Sequence, residues 1–286
     1  MKRLVEVHLS KLVFLLAFLP GLAVTLAVYI GAERRQDAEF ERVADLAVDR
    51  VAVRLQQHEV VLRAARGLMS ATRGGLERDE FLRFLSSVDI IDELSGVQGI
   101  GFALLIQKSD TTRAEFEVKR HYGLEITVRP DTDQPWRTPI VLLEPQNDRN
   151  RAALGFDMYS EATRRTAMER ALVSGEAEMT GPVELVQEIT SDKQTGFLVY
   201  LPFQTGSEPP GSGGSSATGF VYAPFRGGDL IRAALAAGPP LPVALRVVDA
   251  EVPSRPLFDQ SADAGAGPLH YSRTLVVLGR RWTFDV

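Results

Sequence analysis

The chain contains no cysteine. Disulfide scaffolds, thiolate-held zinc, iron–sulfur clusters and cysteine nucleophiles are excluded together. An excess of positive charge is also missing. Lys and Arg total 32 against 37 Asp and Glu, a formal net charge of −5, which argues against a nucleic-acid partner. Only four histidines are present, and His8, His58, His121 and His270 form no metal-binding spacing. No metal or other cofactor is therefore expected. The nucleophile elbow, Walker A loop, kinase glycine loop and HExxH are absent. Carboxylates are plentiful, yet no pair stands out for acid–base work, and no catalytic residue is assigned. A chain of 286 residues, 45% hydrophobic and 24% charged, is neither disordered nor fibrous. Its length suits one or two domains.

What is present begins at the N-terminus. Residues 12–32 carry no charge. As a helix that run spans about 30 Å, the thickness of a bilayer core. Pro20 and Gly21 interrupt it, as membrane helices tolerate. Lys2, Arg3 and Lys11 precede it, which places the N-terminus in the cytoplasm and residues 33–286 in the periplasm or outside a bacterial inner membrane. Arg34 and Arg35 oppose that orientation. An uncleaved anchor is favoured over a cleaved signal peptide, because the apolar run is long for a signal.

Residues 33–73 read as a long stalk helix. Phe40, Ala44, Ala47, Val51, Leu55, His58, Leu62, Ala65 and Met69 recur every three or four positions, a heptad seam with one stutter between Val51 and Leu55. The seam is expected both to pack on the chain's own domain and to support a homodimer. His58 on that seam reads as a buried structural histidine.

The remainder alternates helices and strands, with helices at 77–88, 110–121, 160–174 and 229–237. Strands are expected at 97–107, 138–143, 183–189, 195–203, 218–225, 243–249, 270–278 and 281–286. Ser160 is the expected cap of the third of these helices and Gly175 its stop. The stretch GSEPPGSGGSSATG reads as a flexible hairpin tip. The fold class is α+β, with two units of similar size at 74–181 and 182–286. Two glycine motifs fail as signatures. GVQGIG at 96–101 lies within a strand and has the wrong glycine order for a dinucleotide loop. Gly227-Gly228-Asp229-Leu230 matches only part of a cyclase signature and reads as a loop with a helix cap.

An ordered series of residues carries a resemblance. It starts with Gly99-Ile100-Gly101-Phe102-Ala103, Arg113, Phe116-Glu117, Arg120, Gly123 and Ile126. Leu143-Glu144-Pro145, Asn150, Leu154-Gly155-Phe156-Asp157 and Ser160 follow. Next come Ala167, Ala171, Gly175 and Thr180-Gly181-Pro182, then Leu198-Val199-Tyr200-Leu201-Pro202 and Gly219-Phe220-Val221. Phe225-Arg226, Asp229-Leu230 and Gly279-Arg280-Arg281-Trp282 complete it. In order and spacing the series resembles the CHASE domain, the extracytoplasmic sensory module of membrane histidine kinases and nucleotide cyclases. It covers roughly residues 75–286.

The resemblance implies a long helix followed by two tandem PAS-like subdomains, with a small-molecule ligand in the membrane-distal one, residues 74–181. The plant cytokinin receptors carry the same module. There an aspartate after the Leu-Gly-Phe-like segment bonds the ligand's ring nitrogens, and the matching residue is Asp157. A backbone contact of the same receptors falls on Glu178-Met179-Thr180, with Met179 the best match and Thr180 beside it. Gly101 and Ala103 share one strand face and would leave room for a ligand. The competing reading of Asp157 is that it organises the turn before Ser160; that of Met179 is plain core. No second apolar span, phospho-acceptor helix or cyclase domain is recognisable, so the chain reads as a fragment of a sensor histidine kinase or diguanylate cyclase. The alternative is a stand-alone anchored binding or interaction protein.

Overall fold

The computed structural model describes residues 2–72, 75–88, 96–205, 217–261, 267 and 269–286. The side chains of 2–15, Ala17 and Ala217 lie outside that description. Of the expected hairpin tip at 206–219, residues 206–216 lie outside it and 217–219 are strand; Arg73 and Gly74 at the end of the stalk also lie outside it.

Helix α1 runs unbroken through Lys2–Ala71, with Pro20 inside it. The expected anchor and stalk are thus one element. Among the described residues no helix is long and apolar enough to cross a membrane. The expected span at 12–32 is described only in part, because the side chains of 12–15 and 17 are not included. The chain divides into two compact units, Met1–Leu46 and Ala47–Val286, and the division falls inside α1.

Within the second unit the heptad seam is consumed by the chain's own core. Val51, Leu55, Leu62 and Ala65 are at most 2% exposed and join the main hydrophobic cluster. His58 is buried edge-on to Phe225 at 5.0 Å, with Nδ1 2.7 Å from the Arg54 carbonyl. The expected packing of the seam on the chain's own domain is thus present over residues 51–65. Apolar positions that recur every three or four residues predict a buried stripe, and a sheet can cover that stripe as well as a second helix can.

That sheet has five antiparallel strands. They are β1 (Ile100–Leu104), β4 (Ile140–Glu144), β5 (Glu178–Met179), β6 (Gly196–Thr205) and β7 (Ala217–Arg226), in the order β4-β1-β7-β6-β5. A two-stranded ladder pairs β2 (Ile106–Gln107) with β3 (Trp136–Arg137). A second sheet of four strands is formed by β8 (Arg246–Asp249), β9 (Phe258–Asp259), β10 (Ser272–Val277) and β11 (Arg280–Asp285), ordered β10-β11-β8-β9. The first sheet takes strands from both sides of residue 181, so the sheets divide the chain between β7 and β8 and not at the expected boundary. The strand expected at 183–189 is a loop; only Val183 bridges to Gly196.

Helices close both faces of the five-stranded sheet. On one face Phe81 of α2 (Arg78–Ser87) meets Phe102 edge-on at 5.0 Å, and Trp282 of the second sheet meets Phe197 at 5.1 Å. Against the other lie α3 (Thr111–Tyr122), whose Tyr122 hydroxyl donates to the Leu143 carbonyl at 3.1 Å, and α5 (Ala162–Ser174), which packs on β6. A short α4 (Asp148–Ala153) and α6 (Gly227–Ala236) complete the helices. Gly175 stops α5 in the left-handed conformation, as the sequence implies. The N-cap is Glu161 and not Ser160, whose hydroxyl turns back to the Asp157 carbonyl at 2.6 Å.

The two sheets meet at a hairpin. Leu278 and Gly279 between β10 and β11 both have positive φ, 45° and 78°, the pattern of a two-residue primed turn. The Leu278 carbonyl accepts the Met179 N–H at 2.8 Å, which fastens the turn to strand β5.

Candidate functional site

Cross-strand register places Gly101, Tyr222, Tyr200 and Glu178 on one face of the sheet. Alternation along β1 puts Ala103 on the same face. Gly101 is required there. A Cβ at that position would stand 2.3 Å from the Leu142 carbonyl oxygen and 2.8 Å from Tyr222 Cε1. The space that the small pair was expected to leave is therefore taken by a tyrosine ring. Ala103 is fully buried.

Tyr222 brings a polar group into this interior. Its hydroxyl is buried and has no hydrogen-bond partner among the described residues. Burial, with the neighbouring Tyr200 and Tyr122, pushes that hydroxyl well above the usual phenol range, so it stays protonated and can donate. Tyr200 is also fully buried, and its hydroxyl reaches Met158 Sδ at 3.3 Å. An unpartnered hydroxyl in a dry interior costs about 1–3 kcal/mol. Such a group marks a place where a ligand acceptor or a water would be stabilising.

Asp157 sits at the edge of the same region, at 0% exposure. Its oxygens are already satisfied by protein. Oδ1 accepts from the backbone N–H of Thr138 at 2.7 Å and of Tyr159 at 3.1 Å. Oδ2 receives the Arg137 guanidinium at 3.0 Å. It caps the short 3₁₀ turn Met158–Ser160. Arg137 is 2% exposed and was not picked out in the sequence. Besides Asp157 it donates to the carbonyls of Pro130 and Thr132 and to Thr132 Oγ1, at 3.2, 2.5 and 2.6 Å. The pair thus pins loop 130–137 to the 3₁₀ turn.

The segment expected to offer backbone groups is likewise engaged. The Met179 N–H donates to Leu278, and the Met179 carbonyl accepts from Arg170 Nη2 at 2.7 Å. The Thr180 N–H donates to the Leu198 carbonyl at 2.9 Å, and Thr180 Oγ1 accepts the Leu198 N–H at 3.0 Å. Both residues hold strand β5 in place. The five expected residues are not brought to one point: Gly101 and Ala103 lie on β1, Asp157 bridges Pro139 beside edge strand β4, and Met179 lies on the opposite edge strand β5, facing the other side of the sheet from Gly101, with Thr180 just after it. Tyr222 and Arg137 are the polar groups that sequence reasoning missed. A tyrosine in a strand and an arginine beside tryptophan carry no motif, so register alone reveals them.

Glu188, left without a role by the sequence, is buried between Arg226 at 2.9 Å and Arg149 at 3.6 Å. It ties the loop after β5 to the end of β7. Arg120 pairs with Glu117 at 2.6 Å on its own helix and with Glu77. Among the described residues no group of His, Asp and Glu could hold a metal ion.

Comparison with known proteins fits this architecture. The family model described as the CHASE domain matches residues 74–258. No curated protein matches. Among solved structures, the chain is similar to an extracellular ligand binding receptor from Desulfohalobium retbaense DSM5692, with a TM-score of 0.51 and 10% sequence identity. The alignment covers 86% of this chain and 39% of that one, so the chain spans about two fifths of the receptor's length. At that identity the likeness concerns the fold. The family match covers well over half of the chain and is a match to a sensory, non-catalytic module. The chain belongs to the CHASE domain family.

Proposed function

We propose that this chain is the extracytoplasmic small-molecule input of a transmembrane receptor, and that the ligand is read on the Gly101–Tyr222 face of the five-stranded sheet. The observation that carries the reading is the buried, unpartnered Tyr222 hydroxyl on a face closed by α3 and α5. The family match and the extracellular receptor neighbour support the sensory role. The output is that of a sensor histidine kinase or diguanylate cyclase. The five-stranded sheet forms one PAS-like subdomain and the four-stranded sheet the second. Asp157 acts as a positioning residue through Arg137, while Met179 and Thr180 fix the edge strand beneath the ligand.

The anchor is α1. Leu16, Phe18, Leu19, Leu22, Val24, Leu26, Val28 and Tyr29 are all more than half exposed, on every side of the helix. An apolar surface of that kind is stable where lipid covers it.

The test is a pair of measurements on the purified chain. Small molecules that co-purify are identified by mass spectrometry, and their affinity and the melting temperature are compared with those of Tyr222→Phe. Loss of one ligand hydrogen bond lowers affinity about five- to tenfold, and removal of an unsatisfied hydroxyl leaves the melting temperature equal or higher. Equal affinity in the two proteins would remove the Tyr222 face as the site.

A further inference from the structure

A second concavity lies away from the Tyr222 face, on the β2–β3 ladder. In the register of that ladder Ile106 opposes Arg137 and Gln107 opposes Trp136. Strand alternation sends Arg137 inward, at 2% exposure, and Trp136 outward, at 41%. The Lys108 N–H donates to the Pro135 carbonyl at 2.9 Å and continues the pairing. Between the two segments lies a shallow, open hollow of about 600 Å³ lined by Gln107, Lys108, Ser109, Pro135 and Trp136.

Three features of this hollow bear on what it could hold. The first is the tryptophan. The chain has two, and the other, Trp282, is completely buried. Trp136 instead offers its ring to the cleft, a broad apolar face suited to stacking. The second is rigidity. The loop that presents Trp136 is held from beneath by Arg137 through Asp157, Thr132 and Pro130, so little ordering remains to be done on binding. The third is charge. Lys108 Nζ stands 3.6 Å from Asp133 and 3.7 Å from Asp131, both exposed; Asp131 also pairs with Arg137, so Asp133 is the carboxylate that matches Lys108 alone. A cleft with no surplus positive charge has no preference for an anion. Two of its lining residues, Gln107 and Ser109, carry neutral donors and acceptors.

We propose that the Gln107–Trp136 cleft is a second ligand site, one that takes an uncharged planar ring bearing a hydrogen-bonding substituent. The ring stacks on the Trp136 indole while the substituent meets Gln107 or Ser109. The site is independent of the Tyr222 face and does not require that reading to be correct.

The experiment uses the full chain labelled with 5-fluorotryptophan, which gives two fluorine resonances, assigned with Trp136→Phe. Titration with naphthalene-2-carboxamide is expected to shift the Trp136 signal saturably and leave the Trp282 signal in place. By calorimetry Trp136→Ala should weaken this binding at least tenfold. Naphthalene-2-carboxylate, the same ring with a charge, should bind at least fivefold more weakly than the amide. Val60→Ala, exposed on α1 and away from both faces, should leave amide affinity unchanged, and an unmoved Trp282 signal keeps failure here separate from a change in the core. A shift that never saturates, amide affinity unaltered by Trp136→Ala, or tighter binding of the carboxylate would each overturn the proposal.

Discussion

Asp157 and Arg137 form a fully buried ion pair, 3.0 Å between Oδ2 and Nη1, that joins a 3₁₀ turn to a surface loop. The carboxylate also receives two backbone N–H groups. Such a pair stabilises little against an apolar substitute, but removing Asp157's charge leaves the buried Arg137 with only the exposed Asp131 as carboxylate partner. Asp157→Asn is therefore expected to cost about 2–4 kcal/mol, the remaining Arg137 contacts softening the loss. The melting temperature should fall by roughly 5–15 °C. Thermal denaturation at neutral pH checks this. An unchanged melting temperature would show that the carboxylate is not structural.

Two glycines should respond in opposite ways to the same change. Gly101→Ala drives a methyl into the Leu142 carbonyl and the Tyr222 ring, both in the packed core. A loss of about 3 kcal/mol or failure to fold is expected. Gly67 lies in α1 with nothing within 4 Å of an added Cβ. Gly67→Ala should stabilise by about 0.5–1 kcal/mol. Urea unfolding of both variants distinguishes the two responses.

His121 supplies a pH dependence. Burial, aided by Arg120 and Arg78 and opposed by Glu77, pushes its imidazole down to about 4. Glu117 Oε2, 3.6 Å away, does not reverse this. The folded chain keeps the ring neutral while the unfolded chain protonates it near the ordinary histidine value of about 6.5. Between those two pH values the unfolded state binds more protons, so stability rises with pH. The contribution is complete above about pH 6.5 and is lost as pH falls towards 4. Solvent screening of this incompletely buried ring holds the effect to about 1–2 kcal/mol. His121→Gln should flatten the stability profile over that window, as read by denaturant titration at half-unit steps. An unaltered slope would assign the pH dependence elsewhere.

The stalk can be tested with cysteines in a chain that has none of its own. Val51 and Leu62 are 0% and 1% exposed against the core, so single cysteines there should lower stability and fail to cross-link. Val53 and Val60 are 52% and 62% exposed on the outer side of the same helix. If copies pair through α1, cysteines at those two positions should cross-link in membranes. Efficient linking at Val51 or Leu62 would restore the inner seam as an interface.

Orientation is tested by fusion. A reporter active only outside the cytoplasm, placed after Val286, should be active. Activity confined to a cytoplasmic reporter would contradict the extracytoplasmic reading.

Local pattern determined much of this protein. Periodicity located α1 and the main helices, Gly175 marked the stop of α5, and the alternation of β-rich segments with helices established an α+β chain. The ordered residues from Gly99 to Trp282 carry the pattern of the family whose model matches residues 74–258. These features are encoded in neighbours along the chain, through backbone preference and side-chain spacing. What covers a stripe or fills a face is not encoded in that way. The α1 seam has the same spacing whether a second helix or the chain's own sheet lies on it, and only tertiary packing chose the sheet. Gly101 promised space, and the register of β7 filled it with Tyr222. Asp157 looked free for a ligand until Arg137 and Thr138, distant in sequence, came within hydrogen-bond reach. Long-range pairing decided each of these, because a partner's position depends on strand register and loop closure, which no short window of sequence contains.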